Sequence, residues 1–85
     1  MKQVNFREIV IEDIHGNPMP GDFHEVLGNQ LYMQGRDIRE CELGRKIYFG
    51  EGEIELTDDE AKIVREAVKG WSYVARTAIE KMLDT

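Results

Sequence analysis

Eighty-five residues with 33% charged and 41% hydrophobic side chains suit one soluble domain around one small core and are too apolar for disorder. A formal net charge of −6 disfavours general DNA or RNA binding, which rewards proteins that neutralise phosphates. No apolar run approaches the ~20 residues that span a bilayer, residues 1–6 lack the apolar core of a signal peptide, and Cys41 has no second cysteine to pair with, so a cytoplasmic location is expected.

Residues 2–11, KQVNFREIVI, are dense in Val, Phe and Ile and read as a first strand. Their alternation breaks: Val4 and Phe6 share one face, Ile9 and Ile11 the other. Either a bulge near Arg7–Glu8 shifts the register, or the second half is covered on both faces. Residues 12–21, EDIHGNPMPG, read as a loop because of Gly and two Pro. From Phe23 to Gln34 the spacing of Phe23, Leu27 and Leu31 predicts an amphipathic helix that Asp22 is placed to cap. Gly28 costs that helix about 1 kcal/mol relative to Ala, and a close helix crossing would account for it.

Asp37 is placed to cap a second helix running to about Tyr48, with Ile38, Cys41 or Glu42, Leu43 and Ile47 as its spacing. Glu42 and Lys46 stand at i,i+4 in the favourable order. Phe49 to Gly52 reads as a turn into a short strand at 53–56. Thr57 and Glu60 then form a capping box, with Asp58 and Asp59 in the first turn of a third helix and Gly70 as its stop. Ser72 caps a fourth helix over Tyr73–Leu83. The expected fold is α+β and mostly helical, two strands and four helices in the order β-α-α-β-α-α, one domain over 1–85. The two strands are expected to pair with each other.

Chemistry is sparse in this pattern. His15, His24 and Cys41 match no zinc spacing, and both histidines fall where solvated side chains are common. The carboxylates of Glu51–Glu60 lack the spacing of a calcium loop, and the helix start already employs several of them. No phosphate loop, dinucleotide fingerprint or nucleophile elbow occurs, so neither a cofactor nor a small-molecule substrate is indicated and an enzyme is not expected.

Interaction is the remaining class. Tyr32, Tyr48, Trp71 and Tyr73 are amphipathic aromatics of the kind enriched at binding hot spots, with core packing the competing role for Trp71. A two-stranded sheet also leaves edges for another chain, a second copy included. The expected function is therefore a non-enzymatic protein-interaction module, whose partner is another protein or itself as a homodimer. The alternative is a nucleic-acid-linked regulator. It would bind DNA through Arg36, Arg39, Arg45 and Lys46, or mimic DNA through the acidic 51–60 run.

Residues 27–64 carry Leu27-Gly28-Asn29, Leu31-Tyr32, Ile47-Tyr48 and a Gly-Glu turn into Glu55-Leu56-Thr57. In these features the segment resembles small uncharacterised proteins of bacterial prophages and conjugative elements. The resemblance implies a bacterial or phage cytoplasmic origin and a role in assembly or regulation. It carries over no catalytic or binding residue.

Overall fold

The computed structural model describes residues 2–84, and the break in alternation near Arg7 is the end of a strand. Strand β1 (Lys2–Val4) stops at Asn5, whose side-chain oxygen accepts from the Arg7 N–H at 3.0 Å. Strand β2 (Ile9–Glu12) then starts afresh, so the expected strand over 2–11 is two. The turn between them buries Phe6, and the Arg7 Nε donates to the Gly50 carbonyl at 2.9 Å.

The loop expected over 12–21 contains strand β3 (Pro18–Gly21), paired antiparallel with β2. Asp13 and Gly16 close a short turn, with Gly16 at φ +82, and the Asp13 N–H donates to the Asn17 carbonyl at 3.0 Å. Bonded pairs in an antiparallel ladder recur at every second residue, so they fall at Ile11↔Met19 and Ile9↔Gly21. Pro20 and Pro18 face Val10 and Glu12 at the positions between, where backbone groups point outward. Both prolines therefore occupy sites where a missing N–H costs no ladder bond, which is why two of them fit in one strand.

Helix α1 (His24–Gln34) and helix α2 (Ile38–Phe49) follow, and their contact is the most extensive between any two elements. Two glycines make it possible. A Cβ built on Gly44 would lie 2.7 Å from the Gly28 carbonyl oxygen and 2.8 Å from the Tyr32 nitrogen. One on Gly28 would lie 2.8 Å from the Tyr48 Cβ. The backbones thus meet where a side chain would hold them apart. Asp37 caps α2 as expected, accepting from the Glu40 N–H at 3.1 Å.

Strand β4 (Ile54–Leu56) pairs antiparallel with β1, Val4 opposite Ile54 and Lys2 opposite Leu56. Helix α3 (Asp58–Ala67) opens on the expected capping box: the Glu60 N–H donates to Thr57 Oγ1 at 3.1 Å, and the Thr57 N–H to Glu60 Oε1 at 2.9 Å. It ends at Ala67, and Gly70 does not take the left-handed conformation expected of a helix stop. Helix α4 (Tyr73–Leu83) is capped by Ser72. The described residues thus form an α+β domain of four helices and two small antiparallel sheets, in the order β-β-β-α-α-β-α-α. Its core gathers Val4, Phe6, Ile9, Leu27, Leu31, Leu43, Ile47, Leu56, Val64, Val68, Ile79 and Leu83.

The helix crossing predicts a contrast between two glycines. Gly44→Ala is expected to lower stability in urea unfolding by about 1–3 kcal/mol, because the overlap is with backbone and exceeds the gain in helix propensity. Gly70→Ala meets no atom within 4 Å and is expected to be neutral or to stabilise by up to about 1 kcal/mol. Equal responses at the two positions would contradict the close crossing.

Candidate functional site

The α1–α2 crossing brings two of the expected interaction residues together. Gly28 and Gly44 form the floor of a depression of about 360 Å³, and Tyr32 and Tyr48 line it from the two helices. Phe49 stands beside them, its ring 5.0 Å from that of Tyr48 in an edge-on arrangement. Tyr32 is 50% exposed and Phe49 69%, while Tyr48 is half-buried. Asn29 and Arg45 supply the polar part of the lining. The absent glycine side chains therefore act twice: they let the helices touch and leave the aromatic rings standing above a shallow floor.

Phe49 escaped the sequence reading because Gly50 and Gly52 placed it in a turn. The helical spacing from Arg45 was the signal, since one more turn from Arg45 reaches Phe49. Other apolar side chains extend this face. Val26 and Met33 flank Asn29 on α1, and Ile38 lies two turns before Arg45 on α2; they are 58%, 78% and 70% exposed.

Trp71 and Tyr73 lie elsewhere. The Trp71 ring is half-buried against Phe23, 5.6 Å between centroids, and its Nε1 donates to Gln30 Oε1 at 2.7 Å. The Gln30 amide in turn donates to the Ala67 carbonyl. One glutamine thus ties α1 to the α3–α4 junction, and Trp71 serves the core. Tyr73 is 71% exposed on α4, beside a separate groove along β2.

The four basic residues of the alternative reading do not act as one group. Lys46 Nζ meets Glu60 at 3.2 Å, rather than Glu42 as its i,i+4 position suggested. Arg39 meets Asp37 at 3.2 Å, and the Arg36 backbone N–H donates to Glu40. Arg45 joins the aromatic depression. Of the acidic run, Glu60 is held by its cap and by Lys46, whereas Glu51, Glu53, Glu55, Asp58 and Asp59 are exposed.

His15 is exposed, as expected of a turn residue, but His24 is 7% exposed and belongs to the buried set. Its Nδ1 contacts the Asp22 carboxylate, and its ring lies 6.2 Å from that of Tyr48. The His24 bond holds the Asp22 carboxyl below its usual range. Cys41 Sγ faces the Tyr32 carbonyl at 3.6 Å. Among the described residues, no three His, Cys, Asp or Glu side chains are grouped to hold a metal ion.

Glu60 makes the chain acid-sensitive. Partial burial pushes its carboxyl up, but the Thr57 N–H and the Lys46 ammonium outweigh that and leave it below its usual range. A carboxyl lowered by folding contributes stability above its unfolded value, and that contribution is lost as pH falls through the folded value. Unfolding midpoints in urea are therefore expected to fall between about pH 5 and pH 3. Glu60→Gln should be less stable at neutral pH and show a shallower decline; an unchanged slope would contradict this assignment.

Comparison of the chain with protein-family models, with curated proteins and with solved structures finds no match.

Proposed function

We propose that this chain is a non-enzymatic protein-interaction module, that the outer face of α1–α2 is its contact surface, and that a second copy is the partner this face fits. One observation carries the reading: Tyr32, Tyr48 and Phe49 converge over the Gly28–Gly44 floor on a face that also leaves Val26, Met33 and Ile38 in water. Contiguous apolar surface of this kind marks interaction sites in small soluble proteins. Rigid aromatics above a depression are the usual anchors of such sites.

Self-association requires a patch that complements itself under a two-fold axis. These two helices carry both signs of charge, with Glu25 exposed on α1 and Glu42 and Arg45 exposed on α2. Two copies meeting here would stack one helix pair on another, and a patch with both signs of charge does not repel its own copy as one of a single sign would. The nucleic-acid alternative has no comparable support, since Arg39 and Lys46 already meet carboxylates of their own chain.

The resemblance of residues 27–64 to small prophage and conjugative-element proteins supplies the proposed setting, an accessory role in assembly or regulation. The proposed location is the cytoplasm. No helix among the described residues is long and apolar enough to cross a membrane, and Cys41 is a free thiol.

Sedimentation velocity over a range of concentrations tests the reading. The wild-type chain is expected to dimerise, Phe49→Ser to weaken the dimer at least about tenfold, and Tyr73→Ser to leave it unchanged. A wild-type chain that stays monomeric throughout would overturn the proposal.

A further inference from the structure

We propose a second docking site, separate from the α1–α2 face: the outer edge of β2 and the groove between β2 and α4 take an extended basic peptide as an added strand. The hairpin ladder leaves one edge of β2 unpaired with β3. Bonded pairs at Asp13/Asn17, Ile11/Met19 and Ile9/Gly21 turn the N–H and C=O groups of Val10 and Glu12 away from β3. Among the described residues, no backbone hydrogen bond outside the regular elements involves Val10 or Glu12. These outward groups form a row to which a strand can pair.

The other edge of the hairpin is closed. On β3 the outward positions are Pro18 and Pro20, which have no N–H to offer. The hairpin is therefore one-sided, blocked where it faces solvent along β3 and open where β2 borders α4. A groove of about 650 Å³ lies along that open edge, within the ~300–1,000 Å³ typical of ligand pockets. Its apolar lining comes from Val10 on the strand and from Tyr73, Val74, Ala78 and Met82 on the helix. Val10, Tyr73 and Val74 are 65%, 71% and 49% exposed. Backbone pairing along an edge, with pockets for alternate side chains, is the standard way an extended peptide is bound.

Charge selects the occupant. Glu8, Glu12 and Asp13 line the strand side of the groove, against Lys81 on the helix side. A peptide alternating apolar and basic residues can place the first on the helix wall and the second among the carboxylates. A second copy fits poorly, because its own β2 edge carries the same acidic residues. In the pairing centred on Val10, Glu8 of one strand would oppose Glu12 of the other, and like charges directly opposite destabilise a ladder.

The test is titration of the full chain with a short, end-capped peptide of alternating lysine and valine, followed by calorimetry and by backbone amide NMR. Saturable binding is expected, with the largest shifts at the Val10 and Glu12 amides. N-methylation of alternate peptide nitrogens leaves the side chains and charge intact and should weaken binding at least about tenfold. Val10→Pro should do the same by copying on β2 the block that Pro18 and Pro20 place on β3. Val74→Lys, at an exposed helix position, gives a second variant that does not touch the ladder and should also weaken binding. Phe49→Ser should leave peptide binding unchanged, so failure here is distinguishable from failure of the dimer. Equal binding of the N-methylated peptide, or no saturation up to about 1 mM, overturns the proposal.

Discussion

The structure depends on the approach of two helix backbones at Gly28 and Gly44. The close packing of α1 on α2 is set by that distance. With a β-carbon at either position, the overlap would fall on carbonyl oxygen, amide nitrogen or the Tyr48 stem, none of which can swing aside. The helices would have to separate, and Leu27, Leu31, Leu43 and Ile47 would lose their close packing. The same separation would deepen the depression beneath Tyr32 and Tyr48. Core stability and the shape of the proposed contact face therefore share one cause, and selection on either would hold both glycines in place.

Much of this architecture was legible because local signals and the final packing agree. Thr57 and Glu60 announce a capping box, and the structure has one. Asp37 and Ser72 cap where the sequence says they should, whereas α1 has Phe23 at its N-cap position and no side-chain cap, Asp22 being turned to His24. Gly28 hinted at a close crossing, but nothing in the spacing of the chain named Gly44 as the second glycine. That pairing is a property of how two helices lie, not of either helix alone. The hairpin was lost for a different reason. Proline opposes strand formation on average, yet Pro18 and Pro20 are separated by two, the period that puts both on the outward side of β3. The Asp-Ile-His-Gly-Asn stretch between β2 and β3 was a hairpin signal that the prolines outweighed.

The candidate interaction residues were legible by type and not by place. Tyr32 and Tyr48 are amphipathic aromatics by sequence, and tertiary packing puts them over one floor. Trp71 belongs to the same residue class but is turned inward, held by Phe23 and Gln30. No periodicity distinguishes these cases, because a long-range partner such as Gln30 decides them. His24 makes the same point: a helix start is commonly solvated, and here neighbouring elements bury it. Charge shows the pattern once more, since Lys46 turns to Glu60 on another helix and leaves Glu42, its neighbour in sequence.

The proposed contact surface is the α1–α2 face, shaped by the glycine crossing. Amide NMR spectra of the pure protein, recorded from dilute to concentrated solution, test it residue by residue. Concentration-dependent shifts are expected at Asn29, Tyr32, Met33, Arg45 and Phe49, with β1, β4 and α3 unmoved. Shifts confined to another surface, or none at any concentration, would contradict it.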